Sequence, residues 1–134
     1  MIRTSTPAAL CLIVLLALTA HAAAQIPPSA AEIAAYRGLH AAAARGDAGE
    51  IENLVRAGTT IDARDSHGRT PVHVAAFMRK QDAARTLLRL GANPNALESQ
   101  QYDIVTIAAV ADNVTMLKVS LDGGCRTNNI SSPS

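Results

Sequence analysis

Residues 65–95 read DSHGRTPVHVAAFMRKQDAARTLLRLGANPN, an order of residue types that spells helix, tight turn, helix and stop. Thr70 is a side chain that caps exposed amides. Pro71 suits a first helical position, where its missing N–H removes a donor that would have gone unpaired. Ala75 and Ala76 let a second helix approach closely. Arg85 to Arg89 continue as that second helix, and Gly91 ends it, because a residue without Cβ enters the left-handed conformation at little cost.

The same order recurs 33 residues to either side. His40, Ala42, Ala43, Leu54, Arg56, Gly58 and Ala63 stand 33 positions before His73, Ala75, Ala76, Leu87, Arg89, Gly91 and Ala96. In the other direction, Ala75, Ala76 and Gly91 meet Ala108, Ala109 and Gly124. A fixed period of this length marks an array in which each unit buries its apolar face against the next. Asp65, Gly68, Thr70, Pro71, His73, Ala75 and Ala76 fill the pattern D-x-x-G-x-T-P-L-H-x-A-A, with Val72 in place of Leu. Leu87, Leu88, Gly91, Ala92 and Asn95 fill L-L-x-x-G-A-x-x-N. On these residues the chain resembles the ankyrin repeat family, over about residues 36–128, most specifically in the central unit and least in the third. The resemblance implies an all-α fold, an ankyrin-type helix-turn-helix solenoid with short β-hairpin-like loops.

Residues 1–24 have the layout of a signal peptide: Arg3, an apolar run of 13 residues from Ala8 to Ala20, and Ala22-Ala23-Ala24 before a cut at Gln25. The run is shorter than the roughly 18 residues needed to span a bilayer. The expected protein is therefore exported, periplasmic or secreted in a bacterial setting, with no membrane segment after cleavage. Residues 25–35 form a join and a helix start, where Pro27-Pro28 is stiff and Ser29-Ala30-Ala31-Glu32 is a capping box. The first unit, 36–64, departs from the motif as an N-terminal cap would, and its second helix turns Ile51, Leu54 and Val55 inward. Residues 65–97 are the second unit. In the third, 98–128, Asp103 caps a helix that starts at Ile104, and a second helix carries Val114, Leu117 and Leu121. Residues 129–134 are a tail, read as the possible start of a further repeat. A solenoid needs a polar terminal unit, so the third unit is expected to leave apolar surface open to self-association. Alternatively, the chain is an accessory or N-terminal part of a larger exported enzyme or assembly that continues beyond Ser134.

Composition narrows the function. Loss of Arg3 would bring 12 basic residues to 11, equal to the 11 acidic ones, so no charge excess favours a nucleic-acid partner. With no Trp, two Tyr and one Phe, the core must be Ala, Leu, Ile and Val, which suits stacked thin helices. Cys125 would be the sole cysteine of the cleaved chain, which leaves no internal disulfide, and it reads as a small apolar filler in the slot of Ala92.

Catalytic, cofactor-binding and metal-ligating residues are all read as none. His40 and His73 share one slot of the repeat, where the family resemblance implies a hydrogen-bonding role between units, and they lack further ligands at metal spacing. Asp65-Ser66-His67 holds triad residue types but reads as a turn. Arg79, Lys80, Arg85 and Arg89 read as a solvated basic face. The resemblance implies that another protein is bound, on a concave strip of loop tips and inner helices. Carried onto this chain, that strip is Arg64, Ser66, His67, Arg69, Phe77, Met78, Leu97, Ser99, Gln100 and Tyr102. Arg69 and Phe77 are the expected exposed anchors, since Arg and aromatic side chains dominate interfaces. The alternative for Phe77 is that it folds back to cover the gap between units.

Overall fold

The computed structural model describes residues 25–125. The expectations for residues 1–24, for the last three residues of the third unit and for the tail lie outside the described residues. Within them the chain forms α1 (Ala30–Ala35), α2 (Gly38–Arg45), α3 (Ala48–Arg56), α4 (Pro71–Phe77), α5 (Gln81–Arg89), α6 (Ile104–Val110) and α7 (Val114–Asp122). No strand occurs among the described residues. Helices α2, α4 and α6 pack in one row, α3, α5 and α7 in a second, and α1 lies against α2. No described helix is long and apolar enough to cross a membrane.

The helices form where local chemistry allows it. Ser29 caps α1, with its Oγ accepting from the Glu32 amide at 3.2 Å while the Ser29 amide donates to Glu32 Oε2 at 2.8 Å. Pro71 opens α4, and Asp103 Oδ1 takes the Thr106 amide at 2.8 Å to open α6. Backbone conformation repeats with the sequence. Gly46, Arg79 and Asp112 end the first helix of each pair with positive φ, and Gly58, Gly91 and Gly124 follow the second helix with φ between 94° and 103°. Arg79 and Asp112 hold the left-handed conformation without being glycine, so the helix-to-helix turn imposes it against local preference.

The core is as thin as the composition requires. Ala42, Ala43, Val72, Val74, Ala75, Ala76 and Ile107 are buried along the inner row, and Ile51, Ala83, Ala84, Leu87 and Met116 along the outer one. Small side chains let neighbouring rows approach, and the attraction comes from many short contacts rather than from large apolar groups. Two features of the outer row are not evident from the motif. Leu87 is fully buried, but Leu88, its partner in the motif, is only half-buried. It lies in an open groove of about 400 Å³ between α5 and α7, lined also by Arg85, Arg89, Val119, Asp122 and Gly123. In α7 the inward positions are Met116, Val119 and Ser120, whereas Val114 is 72% and Leu121 41% exposed. Of the apolar series in α7, Val114 and Leu121 therefore face outward while Leu117 is half-buried against the core.

Candidate functional site

The turns that precede α4 and α6 are built alike, 33 residues apart. Asp65 N–H donates to Arg69 O at 3.0 Å, and Glu98 N–H to Tyr102 O at 3.1 Å. Inside each loop the acidic side chain accepts two more amides: Asp65 Oδ1 takes those of His67 and Arg69, and Glu98 Oε1 those of Gln100 and Tyr102. Gly68 has φ of 70° and Gln101, in the equivalent slot, 65°. The two turns meet edge to edge, where Ser99 N–H donates to His67 O at 2.9 Å. Arg64 ties them further by donating to Gly68 O and Leu97 O. A Cβ on Gly68 would approach Ser99 to about 3.1 Å, so glycine permits this close pairing. These turns are the hairpin-like loops of the expectation, closed by single ladder bonds instead of strands.

On this support the expected strip divides in two. Arg64, Ser66, His67, Leu97 and Ser99 are exposed. Phe77, Met78, Gln100 and Tyr102 are half-buried, and of these Phe77, Met78 and Tyr102 pack against the core. Phe77 is thus not a fully exposed anchor but a half-buried ring against the core.

Arg69 contradicts its expected exposure, because its accessible fraction is 0%. Its guanidinium turns inward and sits 5.8 Å from the Phe77 ring centroid. Nη1 bonds Glu32 Oε1 and Asp65 Oδ2, both at 3.1 Å, and Nη2 donates to Ile26 O at 3.1 Å. Tyr36 completes the cluster by donating its hydroxyl to Asp65 Oδ2 at 2.7 Å. A buried cation requires such compensation, and two carboxylates with a carbonyl supply it. Arg69 therefore acts as a tie between α1, the turn and the N-terminal segment.

The electrostatics follow. Glu32 is lowered to about 2, first by the Ser29 amide and hydroxyl and then by Arg69. Burial would raise Asp65, but bonds from Tyr36, from the Arg69 and His67 amides and from the guanidinium hold it below its ordinary value. Tyr36 is pushed up to about 12 by burial and by the Asp65 carboxylate.

The histidines and Cys125 also have structural partners. His73 is buried, with Nε2 2.9 Å from Ala96 O and Nδ1 within reach of the Thr70 amide and hydroxyl. The amide can only donate, so Nδ1 accepts and the proton sits on Nε2, making the ring neutral. Burial lowers its pKa in agreement. His40 Nε2 lies 2.8 Å from Arg69 O, so His40 bridges to the turn of the following unit, whereas His73 holds the end of its own. His67 Nδ1 is 2.8 Å from Glu32 Oε1 and 3.3 Å from Ser66 Oγ. Both neighbours address the same ring nitrogen, whereas a triad needs nucleophile and orienter on opposite ones. Glu32, Asp65 and His67 have ligand atoms within 4.8 Å of one another, but the Arg69 guanidinium already lies between the two carboxylates and disfavours a metal ion there. The basic stripe is largely paired, Arg85 with Asp82, Arg89 with Glu52 and Arg79 with Ala111 O. Cys125 donates its thiol to Pro94 O, and burial, then the Asp103 charge, pushes it up to about 12.

Sequence reasoning missed the residues that cross the strip from the N-terminal side: Gln25, Ile26 and Glu32. Their contacts lie 37 to 81 positions away in sequence, and no repeat register covers residues before the first unit.

Stacked two-helix units at a constant 33-residue period, linked edge to edge by acidic turns, define a repeat solenoid. The sequence profile for ankyrin repeats (3 copies) matches residues 32–98, and the chain belongs to the ankyrin repeat family. Such repeats are generally protein-interaction modules. The chain is 32% identical over 83 residues to inversin of Danio rerio, an overlap of 62% of this chain and 8% of that protein. It is 42% identical over 57 residues to the ADP-ribosylation factor GTPase-activating protein AGD2 of Arabidopsis thaliana, covering 42% of this chain and 7% of the relative. Over 97 residues it is 30% identical to the ankyrin repeat domain-containing protein SAT10 of Stachybotrys chartarum, covering 72% and 5%. The chain thus spans less than a tenth of the length of these relatives.

Proposed function

We propose that this chain is an exported, non-catalytic protein-binding module, periplasmic or secreted, that holds another protein on the strip of turn tips and inner helices. The observation that carries the reading is the edge-to-edge pairing of the two turns, which fixes Arg64, Ser66, His67, Leu97 and Ser99 as neighbouring exposed side chains on a rigid support. A preorganised surface loses little entropy on binding, so a modest set of contacts yields useful affinity. Export rests on the apolar run and the alanine site in residues 1–24.

The test is crosslinking in the exported compartment, comparing the unaltered chain with a variant carrying His67→Ala and Leu97→Ala. Recovery of the crosslinked partner should fall at least tenfold, about 1.4 kcal/mol, with helical signal and melting temperature unchanged. Equal recovery would refute the strip. N-terminal sequencing should find Gln25 first, and a retained leader would refute export. The exposed Val110, Val114 and Leu121 favour a second contact, self-association through the third unit, which sedimentation over a concentration series would detect.

A further inference from the structure

The strip is already occupied by the chain itself. Ser29 caps α1, just ahead of the first unit, and the residues before it reach across the other two units. Ile26 O accepts from Arg69 Nη2 of the second unit at 3.1 Å. Ile26 N–H donates to Gln100 Oε1 of the third unit's turn at 2.9 Å. Gln25 Nε2 donates to Thr106 O on α6 at 3.2 Å. Two of these three contacts fall on Arg69 and Gln100, residues of the strip assigned to the partner. Pro28 is buried, and the two prolines fix φ near −65°, which keeps the segment extended. Ile26 as a residue is nevertheless 54% exposed. The groove therefore reads the backbone at Ile26, an N–H on one side and a C=O on the other, and asks little of the side chain.

We infer that residues 25–28 are a ligand held in cis, and that the partner bound on this strip is a protein presenting an extended, proline-containing segment that displaces them. This inference rests on the protein-binding reading above and specifies the chemistry of what is bound. The fit follows from the three contacts. A displacing segment must offer a free N–H to Gln100 and a carbonyl to Arg69 from the same residue. A proline immediately after that residue preserves both, because only its own N–H is lost and the extended backbone comes ready made. Arg69 supports the exchange, since its charge stays compensated by Glu32 and Asp65 whichever carbonyl it holds. A tethered segment competes at an effective concentration on the order of millimolar. A partner's apparent affinity is reduced by the fraction of chain whose groove is closed.

The experiment is an NMR titration of the 15N-labelled full chain with an acetylated peptide reproducing residues 25–29. A variant with Gln25→Ala and Ile26→Pro loses two of the three tethering bonds, and the peptide should bind it at least tenfold more tightly than the unaltered chain. Side-chain signals of Arg69 and Gln100 should shift on binding. Ile26→Ala retains the backbone contacts and should match the unaltered chain. In the unaltered background, Gln100→Ala should speed exchange of the Ile26 amide at least tenfold. Equal affinity of the unaltered chain and the double variant, absence of binding by the double variant at about 10 mM peptide, or unchanged Ile26 exchange in Gln100→Ala would each overturn the inference. No partner enters this titration. A groove that binds the peptide while crosslinking recovers nothing refutes only the functional reading. Partner recovery unaffected by the tethering variants refutes only this one.

Discussion

Replacing Arg69 by Met keeps the length and apolar body of the side chain and deletes its charge. The guanidinium is completely buried and makes ion pairs at 3.1 Å with Glu32 and Asp65, a bond to Ile26 O and a face contact with Phe77. Removal of one member of a buried ion pair costs about 3–5 kcal/mol, because the other charge is left uncompensated. Two facts move this site to the lower end. Asp65 keeps the Tyr36 hydroxyl and two backbone amides, and Glu32 reaches water, with about a quarter of its side chain exposed. The expected loss at pH 7 is therefore about 3 kcal/mol, a large share of the stability of a domain this size.

The pH dependence gives a second signature. Asp65 and Glu32 are held below their ordinary values of 3.8 and 4.5 in the folded chain, so the stability they contribute is present above those values and lost as pH falls through the lowered ones. As the carboxylates take up protons, the difference between Arg69→Met and the unaltered chain should shrink below about pH 4. Urea unfolding followed by helical circular dichroism at pH 7 and pH 3 measures both effects. A loss under about 0.5 kcal/mol at pH 7, the size of a surface change, would refute the buried network, and so would a difference that persists undiminished at pH 3.

Leu87→Ala should cost about 2–5 kcal/mol by urea unfolding, whereas Leu88→Ala should cost less than half as much because Leu88 faces the open groove beside α7; equal costs would put both in the core. His73 is buried and titrates below its ordinary 6.5, so the unfolded chain takes up a proton that the folded chain resists. Its contribution is complete above about pH 6.5 and falls as pH drops towards the lowered folded value, so unfolding midpoints should fall between pH 7 and pH 5.5, and a His73→Asn variant should flatten that slope. With its thiol pushed up to about 12, Cys125 should resist alkylation at pH 8 in the native protein and react readily in urea; fast native labelling would show the Pro94 contact to be open.

Much of the fold is legible because it is local and periodic. Thr70, Pro71, His73 and Gly91 act within a few residues of themselves, and a 33-residue repeat carries the same local logic into the neighbouring units. The same holds for the Ser29 capping box and the Asp103 cap. Periodicity fails at the ends of the array. In α7 the apolar series Val114, Leu117 and Leu121 has helical spacing, but a helix of the last described unit has apolar residues on both its packed and its open face. The pattern alone does not tell the two apart, and packing against α5 selects Met116, Val119 and Ser120 for burial.

The sequence by itself determined the all-α repeat fold, its helices and the turn at Asp65, since each depends on residues within a turn or two of one another. Only the tertiary structure decided what lies on the strip. Arg69 has an interface residue's identity and position, yet it is buried, because Glu32 and Asp65 come from segments 37 and 4 residues away and together outweigh its hydration. Gln25 and Ile26 reach the second and third units over separations of 43 to 81 residues. Such contacts exist only after the units have stacked, since surfaces far apart in sequence then lie side by side.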